Sequence, residues 1–305
     1  MIVAGKGGVG KTTLSATTAR LATRVGLRVL IVEMDAKSDL PALFGRNETL
    51  GYEPTELAPG VQACVLTPDD ALVEYLEDHG LRRILKRLSS SGALDVVATA
   101  VPGIKDILVL GKVKQLERSG AHGADLIVVD APAAGHAVTF LASARSLLDT
   151  ANVGPIRTQA ADVIELLSDP ARCRVLLVTL PEETPVNELI DTAYLVEERA
   201  GVTLTPVVVN GLWPRLDLPR DPSKELAAAG LDLATSGRIA DAVDFRLRRQ
   251  DLEAEQTARL AERLPLPQLR LPYLFTTDLG LAEVDRLADA LAEGIATLEP
   301  AESAS

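Results

Sequence analysis

Gly5-Lys6-Gly7-Gly8-Val9-Gly10-Lys11-Thr12 fits the spacing G-x-x-x-x-G-K-[ST]. Glycines at these places let backbone N–H groups curl around a phosphate chain. A helix starting at Lys11 turns its positive end on the same anion. Lys11 has the reach for terminal phosphates, and Thr12 offers a hydroxyl to Mg²⁺. Gly5 through Thr13 is therefore the candidate nucleotide cradle, with ATP and Mg²⁺ the expected ligands. Lys6 is the unusual member, because an ordinary cradle needs no lysine inside its variable part.

Carboxylates stand where such a loop would use them. The run Arg28-Val29-Leu30-Ile31-Val32-Glu33 leads into Met34-Asp35, which puts Asp35 just past a strand end. An acid there can orient an attacking water or accept its proton. Asp39 suits a different task, capping the short turn Leu40 to Gly45. Leu126-Ile127-Val128-Val129-Asp130 is an apolar strand ending in a carboxylate that would stand near the metal, usually through water. The sequence continues to Gly135 and His136. A glycine here lets a backbone N–H approach the γ-phosphate. Hydrolysis removes that hydrogen-bond acceptor, so the loop can switch. His136 reads equally as a switch residue or as a helix-start residue. Asn210, after Pro206-Val207-Val208-Val209, reads either as a reader of the adenine edge or as a turn former before Gly211. Pro272, within Leu271-Pro272-Tyr273-Leu274, is the candidate opposite wall.

Positioning these groups requires strands alternating with helices. Strands are expected at Ile2 to Ala4, Arg28 to Glu33, Val61 to Leu66, Leu126 to Asp130, Arg174 to Thr179, Pro206 to Asn210 and Gln268 to Pro272. Several are continuous apolar runs, which read as strands buried on both faces of a parallel sheet. Helices are expected at Lys11 to Val25, Thr184 to Ala200 and Asp278 to Leu298. Segments 68–120 and 154–170 break the rhythm with helical patterns and read as a helical lobe at one sheet edge. Gly211 to Pro222 reads as a loop, and 299–305 as a frayed tail. The fold class expected is α/β: a mostly parallel, doubly wound sheet carrying a helical lobe, with residues 1–305 forming one domain. A single phosphate loop excludes an internally duplicated chain.

Composition narrows the partners. The 305 residues carry 31 Lys and Arg against 43 Asp and Glu, a formal charge of −12. So acidic a surface disfavours nucleic acid and anionic lipid. No apolar run reaches the length that spans a bilayer, so no stable membrane insertion is expected. Cys64 and Cys173 stand far apart, which excludes a disulfide scaffold and points to reduced cytosol. The chain begins almost at the loop, which leaves room for a start further upstream.

The string Lys6-Gly7-Gly8-Val9-Gly10-Lys11-Thr12-Thr13 resembles the deviant Walker A loop of the ArsA, MinD, ParA and nitrogenase-reductase superfamily. Taken with Val32 to Gly45, Asp130 to Leu141, Val209-Asn210, Leu271 to Gly280 and Pro102-Gly103-Ile104-Lys105-Asp106, the chain resembles the ArsA and guided-entry (Get) ATPases, in the single-domain actinobacterial form. The resemblance implies a P-loop ATPase that works as a dimer, homodimeric or paired with a paralogous ATPase, and that handles a hydrophobic protein client. It implies Gly7, Gly8 and Gly10 as phosphate cradle, with Lys6 reaching the partner's nucleotide. Asp35 becomes the water-positioning aspartate, Asp130 the opening of the second switch, and Asn210 the adenine reader.

The sequence also departs from that pattern. The usual Asp-Pro-Ala-His is Asp35-Ala36-Lys37-Ser38, and Pro-Thr-Gly-His is Ala133-Ala134-Gly135-His136. The dimer-bridging C-x-x-C and the arsenite-binding cysteines are missing, and only Met1 and Met34 are methionines. A positioning ATPase of the MinD or ParA kind is the alternative, as is the nucleotide-binding half of a heterodimer with weak activity of its own. Membrane cycling would want a basic amphipathic last helix. Here that helix carries Leu281, Val284, Leu287, Leu291, Ile295 and Leu298 along one stripe, opposite Glu283, Asp285, Asp289 and Glu293. Such a stripe is expected to dock on the core. Apolar lobe residues Leu72, Leu76, Leu81, Ile84, Leu85, Leu88, Ile104, Ile107 and Leu108 are expected mainly as lobe core rather than as an open client groove. Two basic faces, one of Arg82, Arg83, Lys86 and Arg87 and one of Arg246, Arg248 and Arg249, are expected to be solvated or salt-linked.

Overall fold

A computed structural model describes residues 1–34, 39–78, 80, 103–120, 123–150 and 154–298. Its elements run β1 (Ile2–Gly5), α1 (Lys11–Arg24), β2 (Val29–Glu33), α2 (Leu40–Leu43), β3 (Thr55–Ala58), β4 (Val61–Val65), α3 (Pro68–Asp78) and α4 (Ile104–Ser119). They continue with β5 (Leu126–Ala133), α5 (Ala134–Thr150), α6 (Pro155–Ser168), β6 (Arg174–Thr179), α7 (Glu183–Leu195), β7 (Thr203–Leu204) and β8 (Val207–Leu212). The last are α8 (Ser223–Ala228), α9 (Leu233–Arg263), β9 (Gln268–Pro272) and α10 (Leu281–Ala296).

The strands form one sheet in the order β3-β4-β2-β5-β1-β6-β8-β9, with β7 paired to β6. Every pairing is parallel except β3 with β4. β1 lies between β5 and β6, so the glycine loop leaves from the middle of the carboxyl-end edge. That is where an open α/β sheet gathers its ligands.

Two apolar layers clamp the sheet. On one face Val3, Ile31 and Val128 pack with Leu14, Ala16 and Ala19 of α1 and Val284, Leu287 and Leu291 of α10. The last helix is thus docked by its apolar stripe, and Arg20 ties it down through Asp285 at 2.9 Å. On the other face Ala4, Leu30, Val32 and Val129 pack with residues of α3 through α7. Leu72, Leu76, Ile104, Ile107 and Leu108 are buried in this layer, continuous with the sheet core. In the described part of segments 68–120 and 154–170, apolar side chains therefore pack rather than gape. Leu81, Ile84, Leu85, Leu88 and the basic face of Arg82, Arg83, Lys86 and Arg87 lie outside the described residues, as does the tail 299–305.

Several expected boundaries move. β5 extends through Pro132 to Ala133, with Gly5 facing Ala133 after an irregularity in the ladder. β8 runs on to Leu212, through the expected loop start. The helix expected over 184–200 ends as an α-helix at Leu195 and finishes in a π-helical turn, Val196–Ala200, before Gly201. The last helix starts at Leu281 rather than Asp278. β3, the 17-residue α5, β7, α8 and the 31-residue α9 are additions to the expected elements. Asp39 does sit at the N-cap of α2, but its side chain makes no capping bond.

Candidate functional site

Backbone geometry fixes the glycine loop first. Gly8 and Gly10 have φ of 83° and 93°, left-handed values that side chains rarely tolerate. A Cβ on Gly10 would stand 2.4 Å from Asn210 Nδ2, and one on Gly5 would stand 2.4 Å from the Val178 carbonyl oxygen. A Cβ on Gly7 or Gly8 would meet nothing within 4 Å, so these two exposed positions face open space. Val9 is buried beneath, and Thr13 lines the cavity described next.

A cavity of about 760 Å³ opens at the loop. It is lined by Lys11, Thr12, Thr13, Glu33, Asp130, Thr277 and their neighbours. Lys11 and Thr12 begin α1, whose first N–H groups have no partner within the helix. Thr12 Oγ1 donates to Asp130 Oδ2 at 2.5 Å. The other carboxylate oxygen, Asp130 Oδ1, is buried with no hydrogen bond of ordinary geometry, the Ser15 hydroxyl being its polar neighbour. An orphaned acceptor beside a threonine hydroxyl suits a divalent cation, so the residues present fit Mg²⁺. Among the described residues no group of three His, Cys, Asp or Glu could hold a metal alone. Phosphate and water would therefore complete its shell.

Burial tunes the charges. It pushes the Asp130 carboxyl up, against the pull of the Thr12 hydroxyl, the Lys11 charge and the Ser15 hydroxyl. Burial likewise lowers the Lys11 ammonium, against the pull of Asp130 and Glu33. Lys11 Nζ spends a hydrogen bond on the Lys6 carbonyl at 3.3 Å, a partner a phosphate oxygen could replace. Lys6 turns the other way: its Nζ pairs with Glu188 Oε1 of α7 at 2.7 Å. Nothing in the sequence flagged Glu188.

The remaining expected residues are placed as follows. Asp35, with Ala36, Lys37 and Ser38, lies outside the described residues. Asn210, two strands from β1, donates from Nδ2 to the Val9 carbonyl at 2.9 Å, so its amide braces the loop. Gly135 and His136 open α5, exposed, with the backbone N–H of Gly135 in the first turn. Asp106 of α4 is raised by burial and pulled back by His136, which links the start of α5 to that helix. Pro272 ends β9 in register with Leu212, and the cavity takes Thr277 and Leu279 from the segment after it instead. Sequence reasoning missed Glu33. It ends an apolar run, and only the register of β2 against β5 sets it opposite Asp130.

Comparison with known proteins agrees with this chemistry. Residues 1–153 match the sequence family described as anion-transporting ATPase. The ATPase BagA of Mycobacterium tuberculosis is 29% identical over 96% of this chain and 92% of its own length. An arsenical pump-driving ATPase of Escherichia coli is 30% identical over 74% of this chain and 41% of its own length. One from Acidiphilium multivorum is 29% identical, again over 74% of this chain and 41% of its own.

Proposed function

The chain belongs to the anion-transporting ATPase family and hydrolyses ATP, and from that premise we propose that it is a dimeric nucleotide switch of the deviant Walker A kind. Two copies, or one copy and a paralogue, would close face to face over nucleotide. Each would lend its Lys6 to the other's site, and closure would be coupled to a hydrophobic protein client. The observation that supports the metal–nucleotide site of this reading is Asp130 Oδ1, buried beside Thr12 in the wall of the cavity at the loop.

In this reading the loop N–H groups and the α1 N-terminus bind the phosphates, and Lys11 moves from the Lys6 carbonyl to the terminal phosphoryl oxygens. Bound Mg²⁺ would neutralise charge developing on the β- and γ-phosphates, and Thr12 and Asp130 are the residues to hold it. Asp35 would orient the attacking water. Gly135 would follow the γ-phosphate and pass its loss to α5. Asn210 and the wall near Pro272 would flank the adenine. Lys6 would supply a positive charge to the transition state, as an arginine finger does.

Arsenical pumping is left out of the proposal. A soft metalloid needs accessible thiolates. Cys64 and Cys173 are both buried, and burial pushes the Cys64 thiol up to about 12. A single compact domain located in the cytoplasm is part of the proposal. No helix among the described residues is long and apolar enough to cross a membrane.

The test compares wild type, Lys6→Ala and Asp35→Asn by ATP turnover and by sizing in ATP. Lys6→Ala is expected to lose hydrolysis while nucleotide affinity stays within about tenfold, because a charge supplied in trans acts mainly in the transition state. Asp35→Asn is expected to accumulate an ATP-bound dimer. Full turnover by Lys6→Ala removes the trans lysine, and normal turnover by Asp35→Asn removes the water-positioning role.

A further inference from the structure

Glu33 is only 2% exposed, and Asp130 6%, although both are carboxylates. They face each other in the register of β2 and β5, and neighbouring strands lie about 4.8 Å apart. Register partners in a parallel pair project to the same side of a sheet. Here that is the side covered by α1, with Ile31 and Val128 two residues back in the same layer. Both acids line the cavity at the loop. Among its described lining residues the charged groups are Lys11 against Glu33, Asp39 and Asp130. Among the described lining residues of a cavity proposed to receive a polyphosphate, three acids therefore stand against one lysine.

Glu33 and Asp130 both act on the Lys11 ammonium, so the three groups share one electrostatic neighbourhood. Buried like charges side by side are costly, and a cation shared between them offsets that cost. Asp130 has one oxygen on Thr12 and one with no hydrogen bond of ordinary geometry, which leaves an acceptor for a cation's shell. We propose that Glu33 is a second carboxylate of the metal site, a positioning residue that holds the water shell of the nucleotide-bound divalent cation opposite Asp130. This rests on the nucleotide reading above and adds a residue to it. The geometry behind it is the burial of both acids, their facing register and their shared place in the cavity wall. It also separates Glu33 from Asp35, which stands beyond the strand end and is assigned to the attacking water.

The test measures Mn²⁺ binding to the protein–ADP complex by electron paramagnetic resonance, so no turnover is involved. Glu33→Gln keeps shape and removes charge. It is expected to weaken Mn²⁺ about tenfold, the usual scale for losing an outer-shell partner. ADP affinity in chelator should stay within about threefold, since Glu33 meets the metal and not the phosphates. Glu33→Asp keeps the charge but withdraws it by one methylene, and should weaken Mn²⁺ about threefold. This second variant carries the test if Glu33→Gln does not fold. Mn²⁺ affinity within about twofold of wild type in Glu33→Gln, or unchanged in Glu33→Asp, overturns the inference while leaving the nucleotide reading intact. Failure of wild type to bind Mn²⁺ and ADP together overturns both.

Discussion

The loop edge and the segment that follows β8 are built on opposite terms. At the loop edge, strands of continuous apolar residues deliver Lys11, Glu33 and Asp130 into a cavity where each is partly or fully buried. Beyond β8, α9 runs for 31 residues, about 46 Å, and buries Arg246, Glu253, Gln256, Thr257 and Leu260. Four of those five are polar, and all but Arg246 stand in the carboxyl-terminal half of the helix. Its start leaves Leu233 93% exposed, and Phe245 is 62% exposed. Trp213 holds this region together. Arg246 and Arg249 stack over its ring at 4.5 and 5.7 Å, and Phe245, Tyr273 and Phe275 pack around it with centroids 5.0 to 6.2 Å away. Glu253 accepts from both the Trp213 backbone N–H and Arg249. One region spends burial on charge for chemistry. The other leaves aromatic surface in solvent and is braced by cations.

If that contrast is right, the two regions fail differently. The largest effect belongs to Lys11→Ala, which removes the only lysine lining the cavity among the described residues. ADP affinity should fall about 100-fold, the scale of two charge-assisted hydrogen bonds to phosphate, with the melting temperature little changed. Calorimetric titration checks this, and a variant that binds ADP normally would remove Lys11 from the cradle. Next is Trp213→Ala. It should cost about 2 kcal/mol in unfolding by denaturant, from the missing ring pairs and two cation–π interactions. Mn²⁺ affinity at the loop edge should stay unchanged. A Trp213 variant that weakens Mn²⁺ about tenfold, as Glu33→Gln is expected to, would show that the regions are not separable.

The same contrast sets how much the sequence disclosed. The loop was legible because glycine and lysine at fixed spacing have few other uses, and the left-handed φ of Gly8 and Gly10 demands the residue type directly. Asp130 was legible because an apolar strand delivers it. Glu33 was not, since a glutamate closing a strand is ordinarily a solvent-facing end. Its burial depends on the pairing of β2 with β5, made between stretches far apart in the chain and visible only in three dimensions. α9 escaped for a related reason. With Leu260 its one buried apolar residue, it has no continuous apolar stripe to read, and charge and capping by Asp232 carry it instead. The family match stops at residue 153, short of this region.

The smallest expected effect tests the one ion pair that opposes the proposed dimer. Lys6 must leave Glu188 before it can reach another subunit's nucleotide, and the pair is 2.7 Å long in the single chain. Both side chains are at least a third exposed, so water and salt screen the attraction. Exposed pairs contribute between about 0 and 1 kcal/mol, which converts to at most about fivefold in an equilibrium. Glu188→Gln removes the charge and keeps an acceptor of the same shape. Turnover at limiting protein concentration should therefore rise by about two- to fivefold, and the gain should vanish at roughly 0.5 M salt, where wild type has lost the same restraint. Lys6→Ala combined with Glu188→Gln should be no faster than Lys6→Ala alone, because the glutamate acts only through the lysine. A Glu188→Gln gain that persists in the double variant would assign Glu188 to the cavity's own field, with no part in restraining Lys6.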